Sequence, residues 1–302
     1  MPSIAVLGPG GVGGFVAAAL ARADVKIVVV AREPAATALT LTGVSVRSAA
    51  LGNFVAHPGV VAELTEPVDV LLVATKAAGL EAALDRIHTE PRLVVPLLNG
   101  VEHLRVLRER FGADRVVAGV IRVESDRPRA GEIVQTSPAC RIDIAGARPE
   151  VIPLAQTLED AGIAVRTGDS EPNVMWSKLM RLCPLALTTS ASDRPLGFVR
   201  SDPRWRSALD NAVAETARVA AAEGATLDGA ATMAELESAH AELGSSMRRD
   251  IAAGREPELD AIAGAVLRAG ARHGIRCPTI EWLAGRVAQR AAIPAPRGAS
   301  GV

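Results

Sequence analysis

The residues best placed to do chemistry stand at the start of the chain. Ile4–Leu7 reads as a short buried strand, and behind it comes Gly8-Pro9-Gly10-Gly11-Val12-Gly13-Gly14, a GxGxxG with its glycines at 8, 10 and 13, opening an apolar helix. In that setting the first glycine permits a tight turn, the second lets backbone approach a pyrophosphate, and the third lets helix and strand pack closely. The phosphate then sits at the positive end of the helix. A glycine-rich surface turn is the competing reading, and the order strand, loop, helix favours a dinucleotide held by Gly8, Gly10, Gly11, Val12 and Gly13. The second strand ends in Val28-Val29-Val30-Ala31-Arg32, where an NAD site usually offers a carboxylate to the ribose 2′-hydroxyl. A guanidinium there grips a 2′-phosphate instead, so Arg32 favours NADPH, although a one-residue shift of the strand end would present Glu33. Lys76, after the apolar run Val70–Ala74, offers a second positive charge for the same phosphate, or is simply a solvated loop lysine.

These residues need a scaffold, and the pattern of the chain describes one. From Ser3 to about Thr167, β-branched runs alternate with helical stretches: Ile4–Leu7, Lys26–Ala31, Val44–Arg47, Val68–Ala74, Leu93–Leu98, Val116–Val123, Glu132–Gln135, Arg141–Ile144 and Ile163–Arg166. The early runs are continuously apolar, as in a parallel sheet covered on both faces, with Phe15–Ala23 and Leu80–His88 as helical crossovers. The stretch 116–144, punctuated by Pro128, Gly131 and Pro138, reads as a meander added to the sheet edge. Beyond Gly168 the β pattern gives way to Ala-rich segments of 3.6-residue period, with Leu209, Val213, Ala217, Ala212, Thr216 and Val219 on one face and breaks at Gly224, Gly244, Gly254–Pro257 and Gly274–Pro278. The expected fold is α/β: a Rossmann-type dinucleotide-binding domain over 1–168, followed by an all-helical domain over 169–293. A disordered Pro-, Gly- and Ala-rich tail is expected over 294–302.

Composition excludes several classes of function. The 302 residues carry 33 Lys+Arg against 34 Asp+Glu, a balance without the electrostatic footprint that holds nucleic acid. The longest apolar runs fall far short of the ~20 residues that cross a bilayer, and Met1-Pro2-Ser3 leads straight into a strand pattern, so neither a membrane nor a signal peptide is expected. Cys140, Cys183 and Cys277 are odd in number and widely spaced, which suits a reducing, cytoplasmic setting. No two of the five histidines fall at i, i+4, and Glu237 with His240 is a lone pair at helical spacing, so no metal is expected. The Ala-rich helices suit a monomer's core or the face of a homodimer equally.

Further stretches carry a resemblance: Ala74-Thr75-Lys76; Leu98-Asn99-Gly100-Val101-Glu102, followed by Leu104 and Arg110-Phe111-Gly112; Trp176-Ser177-Lys178-Leu179; Gly244-Ser245-Ser246-Met247 with Asp250; and Glu258-Leu259-Asp260, followed by Ala271-Arg272-His273-Gly274-Ile275 and Pro278. In this order and spacing, together with Gly8–Gly14 and Arg32, they resemble the ketopantoate reductase (2-dehydropantoate 2-reductase) family along nearly the whole chain. The resemblance implies a Rossmann domain, a helical domain and an active site in the cleft between them. It also implies reduction of a 2-oxo acid with NADPH in pantothenate synthesis, with Lys178 as proton donor and Glu258 as a substrate-binding residue.

The residues themselves bear on those roles. On a helix, Lys178 has Val174, Met175, Arg181 and Leu182 at three and four residues' distance, and both apolar neighbours and a cation lower an ammonium pKa toward a useful range. A snorkelling lysine is the bland alternative. Asn99 follows an apolar strand whose C-terminal end should point at the nucleotide crevice, within reach of nicotinamide or substrate, while Asn-Gly is also a common turn pair. Ser246 is a substrate contact or only a helix N-cap, Asp250 a substrate-side residue or a solvated ion pair, and Glu258 a substrate ligand or a carboxylate placed for the helix dipole. One departure from the family stands out: the asparagines that commonly lie four and eight residues after the lysine are Leu182 and Ala186 here. The missing amides bear on which 2-oxo acid is taken, and they leave open a different carbonyl substrate or a non-catalytic dinucleotide-binding protein.

Overall fold

A computed structural model describes residues 1–138, 140–296 and 298; of the expected tail, 297 and 299–302 lie outside the described residues. The chain forms two compact units, one of residues 1–98 with 103–174, the other of 99–102 with 175–302.

In the first unit β1 (Ile4–Leu7) leads through α1 (Gly11–Arg22) to β2 (Ile27–Val30), and α2 (Glu33–Thr42) leads to the hairpin β3 (Val44–Ser48) and β4 (Gly52–Ala56). Then follow β5 (Gly59–Val61), β6 (Val70–Val73), α3 (Leu80–Leu84), β7 (Leu93–Pro96) and α4 (His103–Phe111). The remaining elements are β8 (Gly119–Arg122), β9 (Ser125–Arg129), β10 (Glu132–Gln135), β11 (Arg141–Ile144), α5 (Val151–Asp160) and β12 (Ala164–Arg166). The central sheet has the order β5-β2-β1-β6-β7 and is parallel throughout. Strands β1, β6 and β7 are buried at every residue, which is why they read as unbroken apolar runs. The chain runs outward on one side of β1 as far as β5 and resumes on the other with β6, so loops diverge at the C-terminal ends of β1 and β6, where open α/β sheets bind ligands.

Two expectations need correction here. Residues 116–144 do not form an edge meander: among the described residues they pair with the central sheet through an isolated bridge, Val94 with Val116, and their strands divide between the sheets β4-β3-β10-β9 and β12-β11-β8. The cause is a one-sided strand. Ile133 of β10 is buried and its neighbours Glu132 and Val134 are half-buried, so β10 turns its apolar face onto α1, where Ile133 meets Gly14, and pairs parallel with β3. Pro128 lies inside β9, an edge strand, where a missing N–H forfeits no ladder bond. The crossover 80–88 is also shorter than its pattern, with only Leu80–Leu84 helical, because Ile87 leaves to form a parallel bridge with Leu64. Strands β4 and β5 lacked a sequence signal because each is short and opens on a glycine, and β9 because it is largely exposed and carries no apolar residue but Pro128.

The second unit is helical: α6 (Glu171–Ser192, from Met175 onward), α7 (Leu196–Ser201), α8 (Pro203–Ala222), α9 (Gly229–Ser238), α10 (Ser246–Ala252), a π-helical turn at Asp260–Gly264 running into α11 (Ala265–Arg272), and α12 (Pro278–Ala291). The predicted breaks fall in the connections between these helices. On α8 the buried stripe is Leu209, Ala212, Val213, Thr216, Val219 and Ala220, with Ala217 half-buried at its margin. Side chains of Asp202, Asp228 and Ser245 cap α8, α9 and α10 by accepting backbone N–H bonds. Buried Glu215 accepts from the N–H groups of Thr279 and Ile280, both at 2.9 Å, so a carboxylate deep in the unit is satisfied at the positive end of α12. All three cysteines are buried free thiols, and burial pushes that of Cys277 up to about 11. Among the described residues, no helix is long and apolar enough to cross a membrane, and no group of three or more His, Cys, Asp or Glu side chains is placed to hold a metal ion.

Candidate active site

The loop after β1 has the shape its glycines predict. Gly8 takes φ +99°, and a Cβ there would meet Thr75 Cγ2 at 3.0 Å and the Ala74 carbonyl oxygen at 3.1 Å. A Cβ on Gly13 would overlap the Gly8 carbonyl oxygen and touch the Ala74 and Val6 side chains at 3.0 and 3.1 Å, so this glycine sets how closely α1 approaches the sheet. Around Gly10 the nearest such contact is 3.9 Å away, leaving open space over the backbone. Gly10 N-caps α1, and the first intrahelical bond runs from Gly14 N to Gly10 O, so the N–H groups of Gly11, Val12 and Gly13 project from the helix end without helical acceptors. There is no acidic residue in the first turn of α1, and Thr75 Oγ1, beside Gly8, is a buried hydroxyl lacking a hydrogen-bond partner among the described residues. A space above Gly10, three outward N–H groups and an unsatisfied hydroxyl together fit a pyrophosphate.

Arg32 and Lys76 stand at the C-terminal ends of β2 and β6, the strands either side of β1, and both are exposed. Arg32 is the N-cap of α2 and Glu33 already belongs to the first helical turn, so it is the guanidinium that directly follows the strand end.

In the helical unit Lys178 is half-buried on α6, with Met175 buried, Leu182 half-buried and Arg181 facing Glu235 at 3.7 Å. Pro184 sits inside α6, and Thr188 Oγ1 donates to its carbonyl at 2.7 Å. Ala186, two helical turns beyond Lys178, is fully buried in the apolar core around Cys183 and Leu187, whereas Leu182 is half-buried.

Asn99 follows the C-terminal end of β7, and its amide has a partner that the sequence did not indicate. Residues 99–102 group with the helical unit, and Asn99 Nδ2 donates to Glu258 Oε2 at 2.8 Å. Gly100, at φ +85°, lies against the Ala261 carbonyl in the π turn so tightly that a Cβ would overlap it, and Val101 packs on the helical core. Glu102 receives both arms of the Arg268 guanidinium, at 2.8 and 2.7 Å, and the same guanidinium reaches the Asp260 carboxylate at 2.7 and 3.0 Å. A π turn is a common device at functional sites, and this one places Glu258 just before it and Asp260 within it.

The N-cap of α10 is Ser245, not Ser246: buried Ser245 accepts from Arg248 N at 3.1 Å and shares a hydrogen bond with Thr189 Oγ1 at 3.0 Å. Ser246, one residue on, is exposed. Asp250 is buried and takes Nε of the exposed Arg255 at 2.8 Å, an ion pair at the protein surface. The structure therefore joins Asn99 to Glu258 directly and puts Lys178, Ser246 and Asp250 on α6 and α10 of the same unit. The first unit holds the glycine loop, Arg32 and Lys76. Reading the sequence missed Thr75 and the Glu102–Arg268–Asp260 clamp; the one local signal for the clamp was Asp260 and Arg268 two helical turns apart.

Two family models cover the chain: Ketopantoate reductase PanE/ApbA over residues 4–146 and the corresponding C-terminal model over residues 173–291. The chain belongs to the ketopantoate reductase family. A 2-dehydropantoate 2-reductase of Caulobacter vibrioides is 30% identical over 284 residues, spanning 92% of this chain and 95% of the relative. The crystal structure of 2-dehydropantoate 2-reductase from Geobacter metallireducens aligns with a TM-score of 0.87 at 26% identity, covering 95% of this chain and 99% of that one. A D-mandelate dehydrogenase, solved with NADH and anilino(oxo)acetate, shares the fold at a TM-score of 0.87 and 20% identity, covering 96% and 98% of the two chains. Ketopantoate reductases are oxidoreductases acting on CH–OH groups, and membership places this chain in that class.

Proposed function

We propose that this ketopantoate reductase family member reduces a hydroxyl-bearing 2-oxo acid with NADPH, most simply ketopantoate to pantoate in pantothenate synthesis. The observation that carries the reading is the 2.8 Å bond from Asn99 Nδ2 to Glu258 Oε2 in the unit that also holds Lys178. A carboxylate fixed by an amide repels the substrate's own carboxylate but accepts a hydrogen bond from an alcohol, so Glu258 selects for a hydroxyl. When bound, NADPH supplies the hydride. The N–H groups of Gly11, Val12 and Gly13 hold its pyrophosphate, and Arg32 with Lys76 its 2′-phosphate. Lys178 hydrogen-bonds the 2-oxo oxygen through Nζ and gives up a proton as that oxygen gains negative charge, while Ser246 and Asn99 orient the acid. Asp250 steadies Arg255 and the end of α10.

A second reading rests on Leu182, which offers methyl groups one turn beyond Lys178 where the family commonly has an amide: a bulkier, less polar 2-oxo acid. An NADPH-consumption assay against ketopantoate and a panel of 2-oxo acids, with and without a hydroxyl, decides between them. Ketopantoate should be turned over at least about tenfold better than an equally branched acid lacking the hydroxyl, because losing the hydrogen bond from that hydroxyl to Glu258 costs about 1–3 kcal/mol. Turnover of none of the panel would overturn the proposal, and preference for the hydroxyl-free acid would favour the second reading.

For the cofactor, Arg32→Ala should weaken NADPH roughly tenfold or more and leave NADH almost unchanged, as calorimetric titration would reveal. Equal affinity of the unmodified protein for the two dinucleotides would refute the assignment of Arg32.

A further inference from the structure

Strand β9 packs against the phosphate loop. Ser125 Oγ donates to the Gly11 carbonyl at 2.7 Å, and the strand backbone presses so closely on the start of α1 that a Cβ on Gly11 would come within 2.6 Å of the Ser125 carbonyl oxygen. Side chains two apart on a strand share a face, and two residues beyond Ser125 stands Arg127, whose Nη1 donates to the Pro9 carbonyl in the loop itself at 3.4 Å. Its guanidinium is exposed and makes no ion pair among the described residues. The adjacent carboxylate, Asp126, accepts the backbone N–H of Arg127 at 2.8 Å and does not neutralise the side chain. Pro128 follows, which restricts the Arg127 backbone to extended conformations and fixes the direction from which the side chain leaves. An arginine held this way, exposed and joined by a long hydrogen bond to a carbonyl of the loop that leads into Gly11–Gly13, has the fork geometry that recognises phosphoryl oxygens.

We propose that Arg127 is a phosphate-binding residue, exchanging its long bond to the Pro9 carbonyl for the pyrophosphate of a dinucleotide seated on Gly11–Gly13. The inference rests on the dinucleotide reading given above and adds to it a cation that reaches the loop from a strand more than a hundred residues away in sequence. Arg127 and Arg32 then divide the cofactor between them. Arg32 reads the 2′-phosphate that only NADPH has, whereas Arg127 reads the diphosphate common to NADPH and NADH.

Calorimetric titration of the full chain with each dinucleotide tests this. Arg127→Gln should weaken NADPH and NADH by the same factor, about tenfold, and Arg127→Lys should lie between it and the unmodified protein. Because the side chain is exposed, the thermal midpoint of the ligand-free protein should not move. Raising ionic strength should cost the unmodified protein more affinity than it costs Arg127→Gln, since one charge contact is already gone. Unchanged affinity of the variant for both dinucleotides, with the unmodified protein binding them, overturns the proposal alone. A loss confined to NADPH also overturns it, by moving Arg127 to the 2′-phosphate. If the unmodified protein binds neither dinucleotide, the cofactor reading falls and this proposal falls with it.

Discussion

Replacing Lys178 by alanine is expected to lower kcat by ~10²–10⁴-fold while leaving NADPH affinity within about twofold. The two effects separate because the ammonium lies on α6 in the helical unit, whereas the donors for the dinucleotide lie on the loop after β1 and on the ends of β2 and β6 in the other unit. Arginine should not rescue the loss. It keeps the charge that polarises the 2-oxo oxygen, but its proton is bound far too tightly to be passed on, so Lys178→Arg should recover substrate affinity without recovering turnover. Steady-state kinetics with calorimetry on the two variants reads both quantities. A folded Lys178→Ala protein with nearly full kcat would take this residue out of the chemistry.

Gly13→Ala should damage stability and cofactor affinity together. The added methyl would overlap the Gly8 carbonyl oxygen and press on Val6 and Ala74, backbone and packed side chains that have no room to yield. Overpacking of this kind costs about 1–3 kcal/mol, and relief can come only by tilting α1 off the sheet, which carries Gly11 and Val12 away from the phosphate position. NADPH affinity should fall by at least ~100-fold, since two charge-assisted bonds are lost or misdirected. Gly10→Ala makes the informative contrast. A methyl there meets nothing closer than 3.9 Å, so the ligand-free protein should melt normally and yet bind dinucleotide poorly, because the space it fills belongs to the pyrophosphate. Thermal unfolding and titration of both variants check this. A Gly13→Ala protein with normal melting and normal affinity would show that the contact with Gly8 relaxes at no cost.

How much of this was written in the sequence depends on the range of the interactions involved. The glycine loop and Arg32 were legible because strand, loop and helix are contiguous and each glycine answers to a neighbour within the same unit of structure. The buried strands β1, β6 and β7 announced themselves through unbroken apolar runs. What failed was long-range or one residue fine. Nothing near Asn99 says that its amide will meet a carboxylate 159 positions later. Ser245 and Ser246 are the same residue type in adjacent places, and only the packing of Thr189 against the first decides which one caps α10. Strand β9, with Asp126, Pro128 and two arginines, looks like a loop by composition, so Ser125 and Arg127 could not be set beside the phosphate loop before the hairpin was seen to fold onto α1. Lys178 was legible chiefly through its resemblance to a known family; its immediate neighbours fit a snorkelling lysine as well.

The residence of Asn99–Glu102 in the helical unit also bears on how such proteins can be taken apart or recombined. A gene cut at 174/175 would separate Arg268 from Glu102 and leave the surface that receives Val101 bare, so the C-terminal fragment expressed alone would lack a piece of its own interior. The N-terminal fragment would retain a four-residue loop whose anchors are on the other polypeptide. For the same reason, grafting this helical half onto another dinucleotide-binding half would succeed only if the loop travelled with it. Glu102 and Arg268 would have to be exchanged as one heritable unit despite the 166 positions between them.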